Sequence, residues 1–333
     1  MKIGVIGAGS WGTTIANLLA LKGYGVNLWI YEADLCEKIK ETGENSVYLP
    51  GIILSKNIKP TSSIEEASSG MELIVSAAPA QVVRRVISTA APYISKDAVI
   101  VSLSKGIEEG SLMLMSDLLE DVLPERLHKG LSFLSGPSFA REVAQKMPTA
   151  VVIASENRDA ALKAQEVFTT EYFRVYTHDD VTGVELGGAV KNVIAIATGI
   201  SDGLGFGYNT RAALITRGLA EISRLGVKMG ANPRTFSGLA GLGDLVLTCT
   251  GELSRNRTVG YNIGKGMTLE EIMGGMKMVA EGVATSRAVY QLSKKLGVEM
   301  PITEHVYKIL YERLPAKEAV ISLMSRGSKG ELG

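Results

Sequence analysis

Through the first half of the chain, short apolar runs rich in β-branched residues alternate with segments whose apolar positions recur every three or four residues. The runs predict strands over 2–6, 26–30, 73–76 and 98–102, and shorter signals at 131–134 and 150–153 extend the series. The segments between them predict helices over 11–22, 34–41, 79–90 and 112–119. The strands are near-continuous in hydrophobicity rather than alternating, as expected when helices cover both faces of a sheet. Strand–helix alternation of this kind specifies βαβ units and a parallel sheet. From about residue 181 the pattern changes. Helical periodicity recurs at 184–200, 211–225, 269–273, 286–296 and 305–311, with no strand-like run among them. The expected fold is therefore α/β: a doubly wound, Rossmann-type domain over 1–180, then an all-α domain over 181–333. No Pro/Ser-rich linker separates them, so a tight junction with a cleft between the halves is expected.

Composition narrows the function classes. The 333 residues include 35 Lys and Arg against 35 Asp and Glu, which removes any overall electrostatic reason to hold nucleic acid or an anionic membrane. Two cysteines, Cys36 and Cys249, cannot build a disulfide framework and suit a reducing compartment. No uninterrupted apolar run approaches the roughly 18 residues of a membrane span, and glycines break the apolar start. A cytoplasmic enzyme with a small-molecule substrate is expected, without nucleic acid or membrane insertion, and with a homodimer as the default assembly.

Gly7-Ala8-Gly9-Ser10-Trp11-Gly12 is a G-x-G-x-x-G sequence. In a chain with 37 glycines the bare pattern is weak, but it follows an apolar strand and opens an amphipathic helix. In that context Gly7 permits the turn, Gly9 lets the backbone approach a pyrophosphate, and Gly12 allows close helix–strand packing. The second strand runs into Tyr31-Glu32. An acid there accepts hydrogen bonds from ribose hydroxyls and repels a 2′-phosphate, which favours NAD(H) while leaving NADP(H) open. Tyr31 can flank the adenine; Glu32 can equally be a solvated loop acid.

Further chemistry is spread along the chain. Lys105 follows the strand at 98–102, where ligands of such sheets gather. Gly136-Pro137-Ser138 follows another strand signal and reads either as helix capping or as donors facing the cleft. In Gly187-Gly188-Ala189-Val190-Lys191-Asn192, a lysine interrupts an apolar helical face beside two glycines that leave room for a ligand or another backbone. Apolar surroundings disfavour the charged form of that lysine and move its pKa toward a range useful for proton transfer. Asp244 can hold a lysine ammonium. Arg255 offers a planar fork suited to phosphate, with Ser254 and Asn256 as neutral donors, although Ser-Arg-Asn-Arg can also be a solvated basic turn. His128, His178 and His305 are too scattered to suggest a metal site.

Taken in order, Gly7–Gly12, Ser104-Lys105-Gly106, Gly136-Pro137-Ser138, 186–192 with Lys191, 203–210, 241–245 and 254–257 resemble the NAD(P)-dependent sn-glycerol-3-phosphate dehydrogenases, of the bacterial type. The resemblance runs from Lys2 to about residue 325. It implies reversible reduction of dihydroxyacetone phosphate to sn-glycerol 3-phosphate, the backbone of glycerophospholipids. It places Ser10 and Trp11 at the cofactor pyrophosphate, Lys105 against cofactor and substrate, and Gly136 and Ser138 against substrate. It places Ala140 by the cofactor and makes Lys191 the proton-transferring residue. Asp244, Ser254, Arg255 and Asn256 line the substrate pocket, Arg255 also nears the cofactor, and Val279 and Glu281 close over the cofactor. Tyr31 departs from the basic residue that bacterial members often carry there, which bears on NADPH use. Two other readings are another dehydrogenase, acting on a 3-hydroxy acid or nucleotide sugar, and a non-catalytic NAD(H) sensor.

Overall fold

The computed structural model describes residues 1–276, 278–325, 327 and 330. β1 (Lys2–Ile6) buries four of its five residues, and Gly7, at φ +117°, turns the chain toward α1 (Ser10–Leu21). A Cβ on Gly12 would lie 2.0 Å from the Gly7 carbonyl oxygen, so only glycine lets the helix start this close to the strand. The chain continues through β2 (Gly25–Trp29), α2 (Ala33–Thr42), β3 (Ile58–Thr61), α3 (Ile64–Ser68), β4 (Leu73–Ser76) and α4 (Val83–Ala90). It then forms β5 (Val99–Ser102), α5 (Met115–Val122), β6 (Leu131–Ser135), α6 (Ala140–Ala144), β7 (Thr149–Ala154), α7 (Arg158–Phe168) and β8 (Phe173–His178).

These strands make one eight-stranded sheet in the order β3-β2-β1-β4-β5-β6-β7-β8. Pairing is parallel from β3 to β6, and β7 then runs antiparallel to β6 with β8 parallel to β7. The sheet is thus not wholly parallel, as the pattern implied; an antiparallel neighbour needs no crossover helix. The two strands the pattern did not announce, β3 and β8, are the two edges. β3 carries Lys59 and Pro60, and β8 exposes Arg174 and Tyr176, compositions that an edge tolerates and a central strand does not. Helices cover both faces, with one core on the α1 side (Ile15, Leu19, Leu28, Phe173) and another around α4 and α5 (Ile74, Ile87, Leu118, Leu119).

Beyond β8 every regular element among the described residues is helical: α8 (Val181–Gly203), α9 (Tyr208–Lys228), α10 (Asp244–Thr250), α11 (Arg255–Gly264), α12 (Leu269–Gly275), α13 (Glu281–Leu296), α14 (Pro301–Tyr311) and α15 (Ala316–Met324). α8 is the axis on which α9, α10, α11, α13 and α14 pack. By length and composition α8 passes as a membrane-spanning helix, contrary to the count of uninterrupted apolar runs, which Glu185, Lys191 and Asn192 break. Its most apolar 18-residue stretch is 94% buried inside the protein, where it forms the core of the helical part.

One polar contact joins this axis to the sheet layer. The buried Glu185 carboxyl on α8 accepts hydrogen bonds from the Ser116 backbone N–H at 3.1 Å and from the Ser116 hydroxyl, at the first turn of α5. Burial pushes its pKa up to about 8, against those hydrogen bonds. The contact fixes α8 six residues before Lys191.

Candidate active site

β1 and β4 lie side by side and their following chains diverge, which opens a crevice at their carboxyl ends. The glycine-rich turn forms its floor. No side chain caps α1, so its first-turn N–H groups face the crevice, and no atom lies within 4 Å of where a Gly9 Cβ would stand. An open, uncapped helix start of this kind fits a pyrophosphate. The fully buried Asn45 braces the turn by donating to Ala8 O and Thr13 Oγ1, each at 2.9 Å. Ser10 Oγ donates to Tyr48 O at 2.6 Å and lies 3.2 Å from Met278 Sδ. The Trp11 indole turns inward toward Phe173, with ring centroids 6.4 Å apart, so at the crevice only the Trp11 backbone is presented.

Glu32 stands just after β2 as the N-cap position of α2, and its Oε1 accepts a 2.8 Å hydrogen bond from the Tyr48 hydroxyl. Tyr31 is exposed and packs edge-on to Trp29 at 6.1 Å. Ala140 opens α6, and its carbonyl accepts from Thr14 Oγ1 at 3.2 Å, which places it beside α1.

An ionic cluster stands beside the turns that follow β5 and β6. Lys105 emerges from the turn after β5, and Lys191 from the middle of α8. Asp244 opens α10 directly after a π-helical turn over Leu239–Gly243, a distortion that re-aims the helix start. A Cβ on Gly187 would lie 2.5 Å from Ala240 O in that turn; the room beside Lys191 admits another backbone. Asp244 is 1% exposed and takes both ammonium groups: Lys105 Nζ donates to Oδ2 at 2.7 Å, and Lys191 Nζ donates to Oδ1. Lys105 also donates to Gly136 O at 3.1 Å, and Lys191 to Thr248 Oγ1 at 2.9 Å. Each ammonium has three N–H groups and gives two to these acceptors, leaving one for a ligand. Burial pushes the Lys191 pKa down to about 8, opposed by Asp244 and assisted by Lys105. Burial alone would raise the Asp244 pKa, but the two lysines together outweigh it and hold the carboxyl below its usual range.

Gly136, at φ +125°, turns the chain past the Lys105 ammonium, and Ser138 Oγ donates to the Gly136 carbonyl at 3.0 Å. Ser254 caps α11 by accepting from Arg257 N, which leaves its hydroxyl proton to give. The Arg255 guanidinium takes part in no hydrogen bond or salt bridge among the described residues; desolvation holds its pKa below the usual range, opposed by the Glu281 carboxyl. Asn256 is more engaged than a free phosphate donor would be. Its Oδ1 accepts from Gly282 N and its Nδ2 donates to Asn192 Oδ1, each at 2.9 Å, so one amide hydrogen remains. Arg257, the second cation of the Ser-Arg-Asn-Arg run, is held by Asp202.

Glu281 starts α13 and reaches across the crevice, where its Oε1 accepts from Ala80 N at 3.2 Å. Its Oε2 is buried without a hydrogen-bond partner among the described residues, and burial pushes its pKa up to about 7. Val279 is half-exposed just before it. Sequence reasoning missed Tyr48 and Thr248. Tyr48 lies in a turn with no motif; Thr248 carries a signal only in retrospect, one helical turn after Asp244.

Comparisons with known proteins show the family and the fold. Family models described as the NAD-dependent glycerol-3-phosphate dehydrogenase N-terminus and C-terminus match residues 2–161 and 180–321. The glycerol-3-phosphate dehydrogenase, NAD(P)+, of Geobacter sp. (strain M21) is 59% identical over 330 residues, covering 99% of this chain and 98% of that protein. The corresponding Geobacter metallireducens protein is 58% identical over 332 residues, covering 100% and 99%. The crystal structure of glycerol-3-phosphate dehydrogenase from Coxiella burnetii superimposes with a TM-score of 0.93 at 41% identity, covering 98% of this chain and 99% of that one.

Proposed function

The chain belongs to the NAD-dependent glycerol-3-phosphate dehydrogenase family, and on that premise we propose that it reversibly reduces dihydroxyacetone phosphate to sn-glycerol 3-phosphate with NAD(H) as the favoured cofactor. The observation that carries this reading is Asp244 between two lysines at the carboxyl end of a dinucleotide-type sheet.

The first-turn amides of α1, that of Ser10 among them, would hold the pyrophosphate, Ala140, Val279 and Glu281 would flank the cofactor, and Glu32 would take the adenosine ribose hydroxyls. When bound, the nicotinamide supplies the hydride that goes to C2 of the ketone. Arg255, Ser254 and the remaining amide hydrogen of Asn256 grip the substrate phosphate, which removes orientational freedom before reaction. The open N–H groups of Lys105 and Lys191 point at the ketone oxygen and stabilise its growing charge. Lys191 gives that oxygen a proton and is left as the neutral amine, a form burial already favours. In the reverse direction the neutral amine takes the hydroxyl proton. Asp244 keeps both lysine side chains in place throughout.

In the cell this reaction supplies the glycerophospholipid backbone. We place the division between the dinucleotide domain and the substrate domain at residue 180, with the enzyme cytoplasmic and homodimeric. The test is the initial rate of NADH and NADPH oxidation with dihydroxyacetone phosphate. Turnover with NADH at the higher kcat/KM supports the reading; no turnover with either cofactor overturns it.

A further inference from the structure

We propose that Tyr48 is a cofactor-specificity residue, one that fixes the Glu32 carboxylate where it accepts from ribose hydroxyls and repels a 2′-phosphate. The inference rests on the Glu32 reading given above.

Three observations carry it. The Tyr48 hydroxyl donates to Glu32 Oε1 at 2.8 Å, and no other hydrogen bond or ion pair holds this exposed carboxylate among the described residues. An exposed glutamate populates several rotamers, so one donor on one oxygen selects the conformation and leaves the other oxygen open. Tyr48 is itself anchored to the phosphate-binding turn: its carbonyl accepts from Ser10 Oγ at 2.6 Å, and its N–H donates to Asn45 Oδ1 at 3.1 Å. Asn45 in turn holds Ala8 O. The phosphate cradle and the ribose acid are thus joined through one residue, by its backbone on one side and its phenol on the other, and the distance between them is set by the protein before any cofactor arrives. Burial and the neighbouring Glu32 both raise the Tyr48 pKa, so the phenol keeps its donating proton.

The test is Tyr48→Phe, which keeps the ring and its packing but removes the donor. Fluorescence titration should show the NADH Kd of the variant raised about 3- to 10-fold, the scale of an ordinary net hydrogen bond because the phenol acts only through the carboxylate, while the NADPH Kd changes by less than about twofold or tightens. Saturated kcat with NADH should stay at the parent value. Glu32→Ala and the Tyr48→Phe/Glu32→Ala double variant should bind NADH alike, because the phenol acts only through the carboxylate. Parallel weakening of NADH and NADPH, or additive losses in the double variant, would overturn the role of Tyr48. If the parent prefers NADH and Tyr48→Phe leaves the ratio unchanged, Tyr48 alone is dismissed. If the parent binds NADPH as tightly as NADH, the Glu32 reading fails and this inference with it.

Discussion

Asp244 receives Lys105 on one carboxylate oxygen and Lys191 on the other, and is itself 1% exposed. One negative charge between two positive ones leaves a net positive centre. That centre suits an oxygen that becomes negative during reduction. Removing the charge should therefore cost more than one contact. Asp244→Asn is expected to lower kcat with dihydroxyacetone phosphate by at least about 10²-fold, the lower end for a group acting in proton transfer. Its loss should also destabilise the fold, because the buried Lys191 ammonium and the partly buried Lys105 ammonium lose their counterion. Thermal unfolding and steady-state kinetics together check this. Parent-like kcat in a folded variant would show that Asp244 does not hold the reacting lysine.

The depressed Lys191 pKa gives a pH dependence with a definite sign. With the group titrating near 8, glycerol 3-phosphate oxidation needs the neutral amine and its kcat/KM should rise as pH passes through about 8. Reduction needs the ammonium and should fall over the same interval. Profiles measured in both directions check the assignment; parallel profiles would contradict it.

The Arg255 fork, which makes no hydrogen bond or salt bridge among the described residues, predicts a phosphate-specific defect. Arg255→Ala should weaken dihydroxyacetone phosphate binding by about 1.5–3 kcal/mol, the scale of a hydrogen bond to a charged group. Unphosphorylated dihydroxyacetone should be affected much less. Equal effects on both ketones would remove Arg255 from the phosphate grip.

Much of this was legible in the sequence, and the limits have physical causes. β1, the glycine turn and α1 are fixed by local rules, so they were read nearly to the residue. The edge strands β3 and β8 escaped because exposure on one side admits Lys59, Pro60, Arg174 and Tyr176. Lys105, Lys191 and Asp244 each stood out by type and neighbours. That one carboxylate bridges both lysines is a tertiary fact, set by contacts 139 and 53 residues apart. The Tyr48–Glu32 bond had no local signature at all, since a tyrosine in a turn marks nothing.

The Glu185 contact predicts how stability varies with pH. Its folded pKa of about 8 lies above the ordinary 4.5, so the folded chain binds this proton more tightly than the unfolded chain. The contribution is fully present below about pH 4.5 and is lost as pH rises toward 8, at up to about 1.4 kcal/mol per pH unit. Glu221, buried and pushed to about 7 while capping α14, adds a slope of the same sign. Glu185→Gln mimics the protonated group and should flatten the fall in urea-unfolding stability across this interval. An unchanged slope would show that Glu185 does not titrate with folding.

The central claim is that Lys191 transfers the proton at C2, and Lys191→Met tests it most directly. Methionine keeps the stem's bulk and helix propensity but carries neither charge nor proton. Steady-state kinetics with dihydroxyacetone phosphate, paired with an NADH fluorescence titration, should show kcat reduced by about 10²–10⁴ while the NADH Kd stays at the parent value. A kcat within a few-fold of the parent, or a raised KM with kcat intact at saturation, would contradict the claim.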